Sequence, residues 1–205
     1  MFNRIVSSLV WLSFLMGSSI PCRAQDLPVA VPLDFQIYNG VLALMKFPVS
    51  TPHILIANTT LSTACGEKSG NPVLINGCGM FGPPVSVKEV EKTAKESMPR
   101  MSQATWQDFT KQNSRSSELK DVFQSPWPHK MSGVDVPQTG AWNSPDGAMF
   151  FSRVGFDHDR KQALVYVVFS SYMKDVRTTG NFFLFASNEQ GHWEPIGRLS
   201  QMESQ

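Results

Sequence analysis

The sequence predicts an α+β fold: two or three helices packed on an antiparallel sheet of about four strands. Three observations predict it. Segments with helical spacing come first and β-rich segments last, an order that argues α+β rather than a parallel α/β sheet. The final third breaks into aromatic and β-branched runs joined by short turn-type linkers, as antiparallel hairpins do. One run, Leu164 to Phe169, is apolar at every position, as a central strand covered on both faces would be.

Residues 1–24 read as a removable export signal. Arg4 supplies an early positive charge, and Ile5 to Met16 form an apolar stretch of about a dozen residues. Helix breakers follow from Gly17 to Pro21, and Cys22-Arg23-Ala24 sets small residues where a signal peptidase reads. A bilayer core needs ~20 apolar residues to be crossed, so this stretch is too short to span. Cleavage is expected after Ala24, leaving residues 25–205 as a single α+β domain, periplasmic or secreted, with no integral membrane span. With Arg4 and Arg23 gone, 16 basic residues face 17 acidic ones. That balance gives no electrostatic case for nucleic acid or an anionic membrane.

Cys65 and Cys78 are the cysteines left after cleavage. In an oxidising compartment such a pair is expected to be bridged. Closing a loop of about 14 residues would remove roughly 3 kcal/mol of unfolded-state entropy. A cysteine metal site lacks partners, because no CxxC is present and the nearest histidine is His53.

Along residues 25–205, the prolines of 25–33 impose extended chain. Asp34 is expected to cap a helix running to about Lys46, with Phe35, Tyr38, Leu42 and Met45 on one stripe and Ile37, Val41 and Leu44 beside it. Such a wide apolar arc is packed on most sides. Residues 53–57 form a short apolar strand, and 58–85 a long loop holding both cysteines and a glycine-rich stretch from Gly77 to Pro84. Ser86 and Glu89 make a capping box for a second helix through Met98. Ser102 caps a third to about Asn113, and 114–146 read mainly as connection. Strands are expected at 148–156, 163–170, 182–187 and 192–199, with hairpin turns at 157–161 and 189–191.

Chemistry-bearing patterns are sparse. Asp157-His158-Asp159 suggests a metal or acid/base cluster, yet adjacent strand residues face opposite ways, and aspartate is a favoured hairpin residue. His53, His129, His158 and His192 show no ligand spacing. GxSxG, HExxH, GxxxxGK[ST] and GxGxxG are all missing, so no cofactor, metal or catalytic residue is assigned. The alternating Glu and Lys residues of 88–96 read as a solvated helix face rather than a glycosidase pair.

Phe151-Ser152-Arg153-Val154-Gly155-Phe156, Gln162 to Val167, Gly180 with Phe182-Phe183-Leu184, and Gly191-His192-Trp193 together resemble an uncharacterised family of exported bacterial proteins. Thr105-Trp106-Gln107-Asp108-Phe109, Asn113, Leu119 and the stretch Ile37 to Leu44 resemble its amino-terminal half. The chain departs from the pattern at Ser170 to Asp175, where the family often has a glycine- or cysteine-containing turn. The resemblance implies export and fold; it brings no known activity.

The functional expectation is an exported accessory or binding protein, its partner an unknown protein or a small apolar ligand. The absent catalytic constellation and the 58–85 loop motivate this. Phe150, Phe156, Phe169, Phe182 and Phe185 suggest an apolar cavity, and a solid core explains them equally well. The alternative is a hydrolase whose site assembles from dispersed residues such as Asp157, His158 or His192.

Overall fold

The structure, a computed structural model, describes residues 29–45, 53–63, 86–132, 148–171 and 177–204. The expected signal of 1–24, Cys65 and Cys78 with their expected disulfide, and the stretch Gly77 to Pro84 lie outside the described residues.

The chain forms three helices and a mixed seven-stranded sheet. Helix α1 spans Pro32–Leu44. Proline suits a helix start because its fixed φ is already helical and the amide it lacks would go unpaired there. The helix therefore begins before Asp34. Val31 occupies the cap position without a side-chain bond, so Asp34 is not the cap expected of it. It lies inside the first turn and turns inward with Phe35, Ile37, Tyr38, Val41 and Leu42.

Helix α2 (Val87–Ser97) carries the expected capping box: the Ser86 hydroxyl accepts from the Glu89 amide while Glu89 accepts from the Ser86 amide at 2.9 Å. Helix α3 (Gln103–Gln112) starts at Ser102, whose hydroxyl accepts from the Thr105 amide at 3.1 Å.

The strands are β1 (Ile54–Ala57), β2 (His129–Ser132), β3 (Ala148–Phe151), β4 (Gly155–Phe156), β5 (Gln162–Ser171), β6 (Arg177–Ser187) and β7 (Trp193–Ser204). Their order is β2-β1-β3-β5-β6-β7, with β4 also paired to β5. The sheet is larger than the four strands expected, and it is not wholly antiparallel. Strand β1 runs parallel to both β2 and β3, while β3 to β7 are antiparallel. Parallel pairing needs a long crossover, and here the chain between β1 and its parallel partners β2 and β3 includes both α2 and α3. Strand β2 escaped because His129-Lys130-Met131-Ser132 has one apolar residue; among the described residues it is an edge paired with β1 alone.

The expected strand 148–156 is two strands, broken at Ser152 to Val154. Both expected hairpins form, at β4–β5 and β6–β7. Asp157 closes the first turn, its Oδ1 accepting from the Lys161 amide at 2.7 Å and the Gln162 amide at 3.0 Å. Arg160 adopts φ 54° there.

Strand β5 separates two cores. Ala163, Val165 and Val167 join α1 on one face, and Leu164, Tyr166 and Val168 join α2 and α3 on the other. Alternation along an extended chain divides them this way, and burial on both sides explains the unbroken apolar run. Phe150, Phe182 and Phe185 are fully buried within these clusters, so they serve as core. Among the described residues no helix is long and apolar enough to cross a membrane.

Candidate functional site: a cleft above a buried ion pair

The start of α1, the outer face of α3, the β3–β4 connection and the β4–β5 turn enclose a cleft of about 830 Å³. Helix α3 presents Ala104, Gln107, Asp108 and Lys111 to it, residues three and four apart and hence on one stripe. Its opposite stripe, Trp106 and Phe109, is buried in the second core, which fixes the helix's rotation. Gly155 brings β4 hard against α3: a Cβ there would sit 2.5 Å from Cβ of Phe109 and closer still to its backbone. The Phe156 backbone amide then donates to Asp108 Oδ2 at 2.9 Å, and the Gln112 side-chain Nε2 donates to Asp108 Oδ1 at 3.2 Å.

Arg153 and Asp34 form the floor. Arg153 Nε donates to Asp34 Oδ2 at 2.6 Å and Nη1 donates to Ser117 Oγ at 3.2 Å. Asn113, at the end of α3, clamps the Arg153 backbone: its Oδ1 accepts from the Arg153 amide at 2.7 Å and its Nδ2 donates to the Arg153 carbonyl at 2.9 Å. One residue earlier, the Tyr38 hydroxyl donates to the Ser152 carbonyl at 2.9 Å, while Ser152 Oγ accepts from the Tyr166 amide. The β3–β4 break is thus where α1, α3 and β5 are joined by polar bonds.

Asp34 is 0 % and Arg153 8 % exposed, so both charges have left water. Burial raises the Asp34 pKa from 3.8 to about 6; Arg153 pulls it down and the nearby Asp108 charge pushes it up, and burial wins. The same burial holds the Tyr38 hydroxyl well above its ordinary value, so it stays a donor.

Two valences are left over. Asp34 Oδ1 is buried without a hydrogen-bond partner. Arg153 Nη2 makes no hydrogen bond among the described residues. The lining charges balance, with Asp34, Asp108 and Asp157 against Lys111, Arg153 and Arg160.

Of the residues singled out from sequence, Asp157 and His158 reach the cleft rim. His192 does not; it is exposed in the β6–β7 turn. His129 bonds Asp121 at 2.8 Å on the β2 side. Among the described residues no group of three metal-ligating side chains converges. The Glu–Lys face of α2 is solvated as expected, with Glu91 and Lys95 paired at 2.7 Å.

Sequence reading missed Asp34, Arg153 and Asp108 as a group. A signal existed. Asp34 shares the apolar stripe of Tyr38 and Val41, and Arg153 interrupts the aromatic run from Phe150 to Phe156. A charge set among residues that must be buried requires a partner, and each was the other's.

The class these features define is an α+β protein with a half-open cleft of mixed polar and apolar lining over a buried carboxylate–guanidinium pair. No protein-family model matches the chain, and neither a curated protein nor a solved structure is significantly similar to it.

Proposed function

We propose that this chain is an exported binding protein whose small-molecule ligand seats in the cleft over Asp34 and Arg153. One observation carries the reading: the cleft is preformed and lined by both apolar and polar groups, yet its carboxylates are engaged in holding the fold. Asp34 Oδ2 faces Arg153, both Asp108 oxygens accept hydrogen bonds, and Asp157 closes its own turn. Binding sites are concave, with a few oriented polar groups among apolar ones such as Val31, Leu33 and Phe156. A chain delivered through a signal at 1–24 would meet its ligand outside the cytoplasm, with Cys65 and Cys78 bridged.

A hydrolase reading is favoured by one feature, an Asp34 that titrates near 6 inside a cleft, the range where a carboxyl serves as a general acid. Its full burial and its bond to Arg153 oppose contact with a substrate.

The test is Ala104→Trp, which places a large ring in the cleft from the outer stripe of α3. A metabolite panel screened by thermal shift should yield compounds that stabilise the wild type and leave this variant unmoved. Compounds that stabilise both alike, or none at all, would contradict the cleft as binding site. Release of product from a bound compound would favour the hydrolase.

A further inference from the structure

Resting on that reading, we propose that the ligand is an organic anion, a carboxylate or phosphate carried on an apolar body, with its head group held by Lys111, Arg160 and His158 at the cleft rim.

The lining charges match in number, but they are not equally available. Asp34 and Arg153 satisfy each other at 2.6 Å below the cleft. Both Asp108 oxygens accept hydrogen bonds, from the Phe156 backbone amide and from Gln112 Nε2, and Asp157 Oδ1 accepts from the backbone of its own turn. Those N–H dipoles offset part of the negative potential of the carboxylates. Asp157 Oδ2 is left without a partner among the described residues. Against that oxygen stand the exposed side chains of Lys111, Arg160 and His158, which make no hydrogen bond or ion pair among the described residues. An ammonium and a guanidinium only donate, and an imidazole keeps at least one N–H, so this rim can still bind a group rich in acceptors. Charge-assisted bonds from such donors to carboxylate or phosphate oxygen are roughly twice as strong as neutral ones.

Arg160 strengthens the case. Its φ of 54° lies in the left-handed region, which a glycine or asparagine occupies with less strain. Lys111 suits the last turn of α3 through the helix dipole, whereas no local preference accounts for an arginine in this turn. Strain kept beside a cleft points to a role for the side chain it carries.

The lining on the α1 side is apolar. Val31 is 45 % exposed, Leu33 follows it, and Phe156 is half-buried and braced by Trp193, with ring centroids 5.9 Å apart. Covering such surface is favourable in proportion to the apolar area removed from water, so these walls fit a hydrocarbon or aromatic body attached to the anion. A volume of about 830 Å³ is more than an inorganic anion fills.

The experiment is saturation-transfer NMR on the intact protein. The probes are octanoate, phenylpropionate and phenyl phosphate; phenethylamine and phenylethanol, which carry an aromatic body with positive or no charge; and acetate and inorganic phosphate, which carry the charge without the body. At least one of the first three should bind roughly tenfold or more tighter than any of the others. Its affinity should fall severalfold when salt is raised from about 0.05 to about 0.5 M, because exposed charges are screened. Binding of the carboxylates alone or of the phosphate alone identifies the head group. Ala104→Trp should abolish binding, and Lys111→Gln combined with Arg160→Gln should weaken it roughly tenfold or more. Arg160→Gly separates binding from folding: it relieves the left-handed backbone, so the melting temperature should hold or rise while affinity falls severalfold. Binding of phenethylamine or phenylethanol as tight as that of the anions, or anion binding unchanged in the Lys111 and Arg160 variants, would overturn the anion inference and leave the cleft reading standing. Anion binding that Ala104→Trp does not touch would overturn both. Binding of none of the probes would overturn the inference, and the metabolite panel then decides the cleft reading separately.

Discussion

Consider the removal of the Asp34–Arg153 pair one partner at a time and then together. Both side chains are nine-tenths buried or more and meet at 2.6 Å. Asp34→Leu leaves the guanidinium with Ser117 alone, and breaking a buried pair in this way costs about 3–5 kcal/mol. For a chain of this size, about 2–4 °C of melting temperature goes with each kcal/mol, so a loss of roughly 10 °C is expected. Arg153→Met strands the carboxylate instead, which escapes part of the penalty by taking up a proton, so its cost should fall as pH is lowered. The double variant removes both charges and the desolvation they carry. Burial already outweighs Arg153 at Asp34, whose pKa lies above its ordinary value. The double variant should therefore be more stable than either single one, and within about 2 kcal/mol of the wild type. Urea unfolding at neutral pH, followed by tryptophan fluorescence and by circular dichroism, measures the cycle. Single variants costing under about 1 kcal/mol, or a double variant equal to the sum of the singles, would refute the reasoning.

Protonation gives a second expectation. Asp34 binds its proton more tightly folded than unfolded, at about 6 against 3.8. Its contribution is therefore fully present below about pH 4 and lost as pH rises through 6, about 3 kcal/mol in all. The stability difference between wild type and Asp34→Asn should shrink by that order from pH 4 to 7, and a flat difference would contradict it. Glycine contacts give a ranking: Gly155→Ala meets the Phe109 backbone and should cost about 3 kcal/mol, whereas Gly197→Ala meets the flexible Met98 Cγ at 3.1 Å and should cost about 1 kcal/mol or less. Equal melting temperatures for the two would contradict the packing. Tyr38→Phe removes the donor to the Ser152 carbonyl and should cost about 1–3 kcal/mol in the same assay. Ser86→Ala removes the α2 cap and should cost about 1 kcal/mol, with loss confined to the amide protection of the first turn of α2.

What the sequence made legible was local. Helices α2 and α3 were marked by Ser86 and Ser102, whose cap bonds lie within three residues. The β4–β5 and β6–β7 hairpins were marked by turn residues, and β5 by its doubly apolar run. Non-local features were not marked. The parallel pairing of Leu55 with Ala148 and with Lys130 joins strands across long connections, and no short-range pattern encodes it. The cleft was hidden for the same reason. Asp34 and Arg153 lie 119 positions apart, and Asp34 stood where a helix cap is expected. The α1 start was misplaced because Pro32 opens the helix and outweighs the capping preference of aspartate. Asp157 and His158 did reach the cleft, but the bonds of Asp157 to Lys161 and Gln162 show it to be the turn residue the hairpin required.

The decisive measurement is the side-chain Nε–H resonance of Arg153, followed by NMR alongside the backbone amides as the tightest-binding compound of the metabolite panel is added. A ligand seated on the floor should move that resonance most, together with amides of Lys111 and His158, and leave the β6–β7 turn around His192 unmoved. Shifts centred on His192 or on β2, with Arg153 unaffected, would contradict the cleft as the site of binding.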